Sequence, residues 1–132
     1  MDLANLKPTK DTVEVEILHP QTFEPLTNED GSEMTITVLA PHSKEYKALL
    51  HEQTNKRLKQ AQKTKRIDIT SEEVEDATVD LLAKGTVAWD ITYGGEKPKL
   101  TFGKAKEIYT EVFWIRAQIE EAVANSLDFT MD

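Results

Sequence analysis

Histidines and carboxylates are the side chains in this sequence whose types suit metal binding or acid–base chemistry. No two of the three histidines, His19, His42 and His51, stand four residues apart, so the pair of histidines that a zinc protease motif requires is missing. The acidic residues at 72–76 fall where a helix would begin, and the helix macrodipole favours negative charge there. These groups are therefore predicted to be solvated or capping side chains, and the same holds for the later pair at 120–121.

Two glycine-containing stretches match ligand-binding loops only in part. Residues 28–31 lack the alternating oxygen ligands and the closing glutamate of a calcium loop. In the stretch 94–104 the spacing is too long for a phosphate loop, and Ala105 stands where a serine or threonine is required. The chain has no cysteine, which excludes disulfides, thiol nucleophiles and cysteine zinc sites. We expect no catalytic residue, no metal and no cofactor, and hence a protein that is not an enzyme.

Charge is distributed unevenly along the chain. The whole protein carries a net charge of −8, whereas residues 44–66 contain eight basic and two acidic residues. A basic helix here is either simply solvated or a surface for an acidic partner, including the acidic remainder of a second copy. Nucleic acid is a weaker alternative, because the overall charge is acidic and the basic residues lack interleaved aromatics. The candidate binding residues in this segment are Lys56, Arg57, Lys59, Lys63, Lys65 and Arg66.

Aromatic residues form a second candidate surface near the C-terminus. Ile108, Val112, Ile115 and Ile119 recur at helical spacing, which predicts a core-facing stripe. The side chains of Tyr109, Phe113 and Trp114 widen this stripe beyond one narrow face. Burial in the core is the favoured interpretation, and a protein-binding patch is the alternative.

These candidates must be positioned by the elements that the pattern predicts. The length of 132 residues fits one domain, and no apolar run reaches the 18 residues of a membrane span. Alternating residues in 13–19 and 34–39, with turn formers between them, predict an antiparallel hairpin whose connecting segment brings Phe23 and Leu26 back onto its apolar face. The fold class is therefore α+β, with an N-terminal hairpin and about three helices. The predicted elements of this single domain, 1–132, are a hairpin at 12–40, a basic helix at 43–66, a helix at 70–89, a core helix at 102–127 and a tail at 128–132.

One boundary is ambiguous in the sequence. Val87, Trp89, Ile91 and Tyr93 alternate as in a strand, yet Trp89 also continues the preceding helical stripe. A helix extending to about Trp89 is the favoured interpretation.

The order of the segments resembles the tail assembly chaperones of long-tailed, siphovirus-type bacteriophages. The resemblance covers about residues 12–129 and rests on short phrases in a shared order. These are Glu29-Asp30-Gly31 in the hairpin, Pro41-His42-Ser43 before the basic helix, Leu81-Leu82-Ala83 before Trp89, Leu100-Thr101-Phe102-Gly103-Lys104-Ala105, and Trp114-Ile115-Arg116-Ala117-Gln118-Ile119. The chain departs from the family at Asp90 and Lys104, where glycine and asparagine are frequent, and its closing Asn125 and Phe129 are further apart.

The resemblance implies a function in phage tail morphogenesis. Such proteins act in the host cytoplasm, bind the long apolar tape measure protein, keep it soluble and help to recruit tail tube protein around it. They form homo-oligomers and are absent from the mature virion. Many also have a longer frameshifted form, which contacts the tube protein.

Two alternatives to this function are a minor structural tail protein that stays in the virion and a small nucleic-acid-binding regulator.

Overall fold

The computed structural model describes residues 2–6, 10–64 and 70–125, and its architecture confirms the α+β class. A short 3-10 helix at Leu3–Leu6 precedes the main elements. These are β1 (Thr12–Glu16), β2 (Thr35–Leu39), α1 (Lys44–Thr64), α2 (Ser71–Lys84), β3 (Thr86–Asp90), α3 (Phe102–Glu111) and α4 (Trp114–Asn125). The predicted tail at 128–132 lies outside the described residues.

The three strands form one antiparallel sheet in the order β1-β2-β3, and its first two strands confirm the predicted hairpin. Val13 pairs with Val38 and Val15 with Ile36, so these four side chains share the face that the helices cover. The connecting segment folds back on itself, as predicted, but only one of its two large apolar side chains reaches the core. Leu26 packs against the core, whereas Phe23 is 69% exposed.

The region after α2 corrects the prediction of a helix to Trp89. The helix ends at Lys84, and residues Thr86–Asp90 form β3 against β2. The second edge of β2 requires a hydrogen-bonding partner, and the N–H of Leu39 donates to the carbonyl of Gly85 across 2.8 Å. Trp89 is then placed opposite Ile36, on the core face of the sheet.

The predicted core helix at 102–127 is also corrected, because it is two helices. The break falls at Val112, whose backbone angles (φ −103°, ψ 63°) are not helical. A straight helix would place Tyr109 and Phe113 on the same face, four residues apart. The break lets the chain bury Tyr109 and leave Phe113 exposed.

The core lies between the sheet and the helices that follow it. Side-chain caps fix where these helices begin, because Ser43, Thr70 and Thr101 each accept a hydrogen bond from the N–H three residues later. Within the described ranges, no helix combines the length and the apolar character that a membrane crossing requires. The buried side chains that form the core include Val13, Val15, Ile17, Ile36, Val38, Val79, Ala83, Ala105, Ile108, Tyr109, Ile115 and Ile119.

Candidate protein-binding surfaces

The second half of α1 forms the first candidate surface. Residues 54–60 are all exposed, and the last side chain that anchors the helix before them is Gln53, whose amide donates to the carbonyl of Ala77 across 2.7 Å. From Thr54 to Thr64 the helix extends about 16 Å at 1.5 Å per residue. We call Lys56–Lys63 the basic segment of α1.

Four of the six predicted basic residues lie in this segment. Lys56, Arg57, Lys59 and Lys63 are exposed, and none forms an ion pair or hydrogen bond with a described residue. The other two, Lys65 and Arg66, lie outside the described residues. Because positions 56, 59 and 63 share one helix face, the segment presents three ammonium groups in a row to an acidic partner.

Tyr109 belongs to the core and not to a surface. It is fully buried, and its hydroxyl lies 2.6 Å from Oγ1 of Thr86. Since the Thr86 hydroxyl donates to the carbonyl of Leu82, the phenol must donate to Thr86. Burial raises the pKa of Tyr109 to about 12, because the charged phenolate would lose its hydration there.

The other two predicted aromatics differ in exposure. Trp114 is half-buried against the core, whereas Phe113 is 65% exposed at the junction of α3 and α4. Arg116 holds this junction against α2, because its guanidinium lies 3.1 Å from the carboxylate of Glu75. The junction therefore offers one exposed aromatic ring on an anchored backbone.

A polar cluster joins the hairpin connection to the loop after β3, and no pattern in the sequence indicated it. The ammonium of Lys97 lies 2.7 Å from Asp30 and 3.0 Å from Asp90. Buried Asn28 accepts a hydrogen bond from Thr92 and donates to the carbonyl of Asp90. Hydrogen bonding to Lys97 holds the pKa of Asp30 well below its usual range, and both aspartates raise the pKa of Lys97. The predicted turn at 28–31 thus has a lysine between its aspartate and Asp90.

Two acidic residues of α2, Asp76 and Asp80, share one basic partner. Lys106 of α3 lies 3.2 Å from Asp76 and 2.8 Å from Asp80, and these contacts raise its pKa.

Among the described residues, no three side chains of the metal-binding types come together. A cavity of about 120 Å³ lies beside Tyr46 and Val123, and a more open one of about 490 Å³ lies beside Leu100 and Phe102.

No family model, curated protein or solved structure matches this chain.

Proposed function

We propose that this protein is a non-enzymatic phage tail assembly chaperone, which acts in the host cytoplasm, binds the tape measure protein and helps to recruit tail tube protein. The order of sequence phrases supports the family, and the basic segment of α1 is the structural observation that carries the proposal. Its four basic side chains, Lys56, Arg57, Lys59 and Lys63, are exposed and pair with no described residue, on a domain otherwise rich in acidic residues. Such a surface is suited to repeated, weak contacts with a long partner, which multivalency strengthens.

In this proposal two surfaces bind different kinds of side chain. Lys56, Lys59 and Lys63 contact acidic residues, either of the tape measure protein or of a neighbouring copy in a homo-oligomer. Phe113 contacts apolar side chains that a tape measure protein exposes before its tail tube is built. An apolar helical protein aggregates when such side chains are left uncovered. A chaperone coat that covers them keeps the chain soluble.

Co-expression with a fragment of the tape measure protein of its phage tests the proposal. We expect the fragment to remain soluble and to co-purify with the full-length protein. Replacing Phe113 by Ser should reduce recovery of the fragment, because this exposed ring contributes little to the fold. Val87→Ser is the matched control, since Val87 is also exposed but lies on β3. A fragment that stays insoluble and never co-purifies contradicts the proposal.

The main alternative is a minor structural protein that remains in the tail. Mass spectrometry of purified virions separates the two functions, because a retained subunit is present in the particle and a chaperone is absent. A nucleic-acid-binding regulator is a further alternative, because the exposed basic side chains of α1 are of the type that contacts phosphates. Binding to random duplex DNA at low salt, lost as salt is raised, would favour that function, whereas no binding at low salt contradicts it.

A further inference from the structure

One edge of the sheet is open within the part of the chain that the structure describes. β1 pairs with β2 on one side only, so its other side forms the edge. Hydrogen bonds from Ile17 N to Met34 O and from Ala40 N to Asp11 O show that odd-numbered residues of this strand direct their backbone groups toward β2. The even-numbered residues therefore direct their N–H and C=O groups outward. No described residue bonds these outward groups of Thr12, Glu14 and Glu16.

Side chains cover this edge on both sides of the open stretch. The side-chain amide of Gln118 accepts a hydrogen bond from the N–H of Leu18 across 2.9 Å and donates to its carbonyl across 2.8 Å. At the other end, Nε2–H of His42 donates to the carbonyl of Lys10 across 2.7 Å. Gln118 thus supplies the two bonds that a neighbouring strand would make. What remains is a stretch of five residues, 12–16, about 14 Å from its first to its last Cα.

The open stretch is strongly acidic. Glu14 and Glu16 are exposed, lie on the sheet face away from the helices, and contact no basic group among the described residues. A second copy of β1 is a poor partner, because antiparallel pairing would bring glutamates of the two strands onto the same face within reach of each other. Like charges at such positions are destabilising, and charged edge strands are a common protection against self-pairing. The edge therefore favours a partner strand of opposite charge.

We propose that the β1 edge binds an extended segment of a partner protein, about five residues long, that carries lysine or arginine at alternate positions. The segment adds a fourth strand antiparallel to β1, with its backbone bonded to Thr12, Glu14 and Glu16. Its basic side chains lie on the outer face against Glu14 and Glu16, and its intervening apolar side chains lie on the helix side, next to Val13 and Val15. A shift by one residue would exchange these two faces, so the alternation of charge fixes the register. This surface is separate from the basic segment of α1 and does not depend on the proposed chaperone function.

A synthetic peptide with the sequence Thr-Lys-Val-Lys-Val-Lys-Thr and blocked ends is the probe for this edge. It is titrated into the isotope-labelled, full-length protein at low salt and followed by NMR. We expect saturable shifts in β1 and at least tenfold slower amide exchange at Thr12, Glu14 and Glu16. Exchange at Val13 and Val15 should not change, because β2 already protects these amides. No saturable shift in β1 up to millimolar peptide overturns the proposal.

Two methylated peptides separate strand addition from simple charge attraction. N-methylation of the lysine residues removes the N–H groups that face β1, whereas N-methylation of the valine residues removes only N–H groups that face away. The valine-methylated peptide should bind with nearly the affinity of the parent, and the lysine-methylated peptide should not bind. Equal binding of both overturns the proposal.

Variants of Glu14 give an independent test on the protein side. Glu14→Gln removes only the charge and should weaken binding about fivefold, the size of an exposed ion pair. Glu14→Pro also removes the outward N–H, which no bond of the fold uses, and edge strands tolerate proline at such positions. We expect the proline variant to bind at least tenfold more weakly than the glutamine variant, and equal affinities contradict strand addition. Circular dichroism confirms the fold of each variant, and the methylated peptides still decide the question if the proline variant does not fold.

Discussion

The hydroxyl of Tyr109 in α3 donates a hydrogen bond to Thr86 at the start of β3 across 2.6 Å, at a point where neither side chain contacts much solvent. Thr86 in turn donates to the carbonyl of Leu82 in α2, so three elements meet at one hydroxyl. Replacing Tyr109 by Phe should lower the free energy of unfolding by about 1 kcal/mol, because one neutral hydrogen bond is lost.

Thr86→Val should cost more than Tyr109→Phe, about 1–3 kcal/mol, since it leaves both the Tyr109 hydroxyl and the Leu82 carbonyl without their partner. Urea unfolding of the two variants measures the difference. An equal loss of unfolding free energy in the two variants would show that the bond from Thr86 to Leu82 does not contribute to stability.

The same tyrosine makes stability sensitive to alkaline pH. Its pKa in the folded protein is raised from 10.0 to about 12, so the folded state holds the phenolic proton more tightly than the unfolded state does. The contribution of Tyr109 to the free energy of unfolding is fully present below pH 10 and declines as pH rises toward 12. Tyr109→Phe should remove that part of the decline in unfolding experiments between pH 9 and pH 12. A variant with an unchanged pH profile would contradict this assignment.

Asp30 has the opposite dependence at acidic pH. Because Lys97 lowers its pKa below the usual 3.8, the folded state favours the ionised carboxylate. The resulting stability is present above the usual pKa and is lost as pH falls below it. The unfolding temperature of Asp30→Asn should fall less steeply than that of the wild type between pH 5 and pH 2. A profile of the variant as steep as that of the wild type would show that this carboxylate does not contribute.

Gln118 should contribute to stability through its pair of hydrogen bonds to Leu18. Replacing it by Leu keeps a side chain of similar size and removes both bonds, which should cost about 1–2 kcal/mol. Glu121→Leu, an exposed change on the same helix, is the matched control for added apolar surface. Hydrogen exchange at the Leu18 amide should accelerate only in the Gln118 variant. Unchanged exchange would show that the amide is protected by other means.

The basic segment of α1 should drive self-association through charge. Reversing Lys56, Lys59 and Lys63 to Glu should shrink the oligomer in size-exclusion runs at low salt, and high salt should have the same effect on the wild type. The control reverses three other exposed lysines, Lys44, Lys47 and Lys99. An oligomer that is unchanged by the first set, or equally reduced by both sets, contradicts a specific role for the segment.

Local patterns predicted the hairpin and the helix starts because the responsible interactions are local. The alternation at 13–17 has the period of a strand, and Ser43, Thr70 and Thr101 each bond an amide three residues away. The third strand could not be predicted in the same way. Trp89 satisfies a helical stripe and a strand face equally well, and the unpaired edge of β2, fifty residues earlier, is what selects the strand.

The candidate surfaces also differ in whether local sequence alone predicts them. A polar helix without an apolar stripe predicted the exposed basic residues of α1, since exposure there follows from composition alone. For Tyr109 and Phe113 the sequence left core and surface open, because both positions fit one helical stripe until the helix breaks at Val112. The open edge of β1 had no sequence signal, because edge or central position depends on strand order.

The contact between Leu18 and Gln118 joins residues one hundred positions apart, which determines the order in which the chain can fold during synthesis. A ribosome that adds about 5–20 residues per second needs roughly 5–20 s to make the intervening chain. Throughout that interval the hairpin exists without α4, so the apolar side chains of β1 lack the helix that packs on them. Native packing of β1 therefore has to wait until α4 has been synthesised. Until then the nascent hairpin exposes apolar side chains and unpaired strand edges, which makes it prone to aggregate.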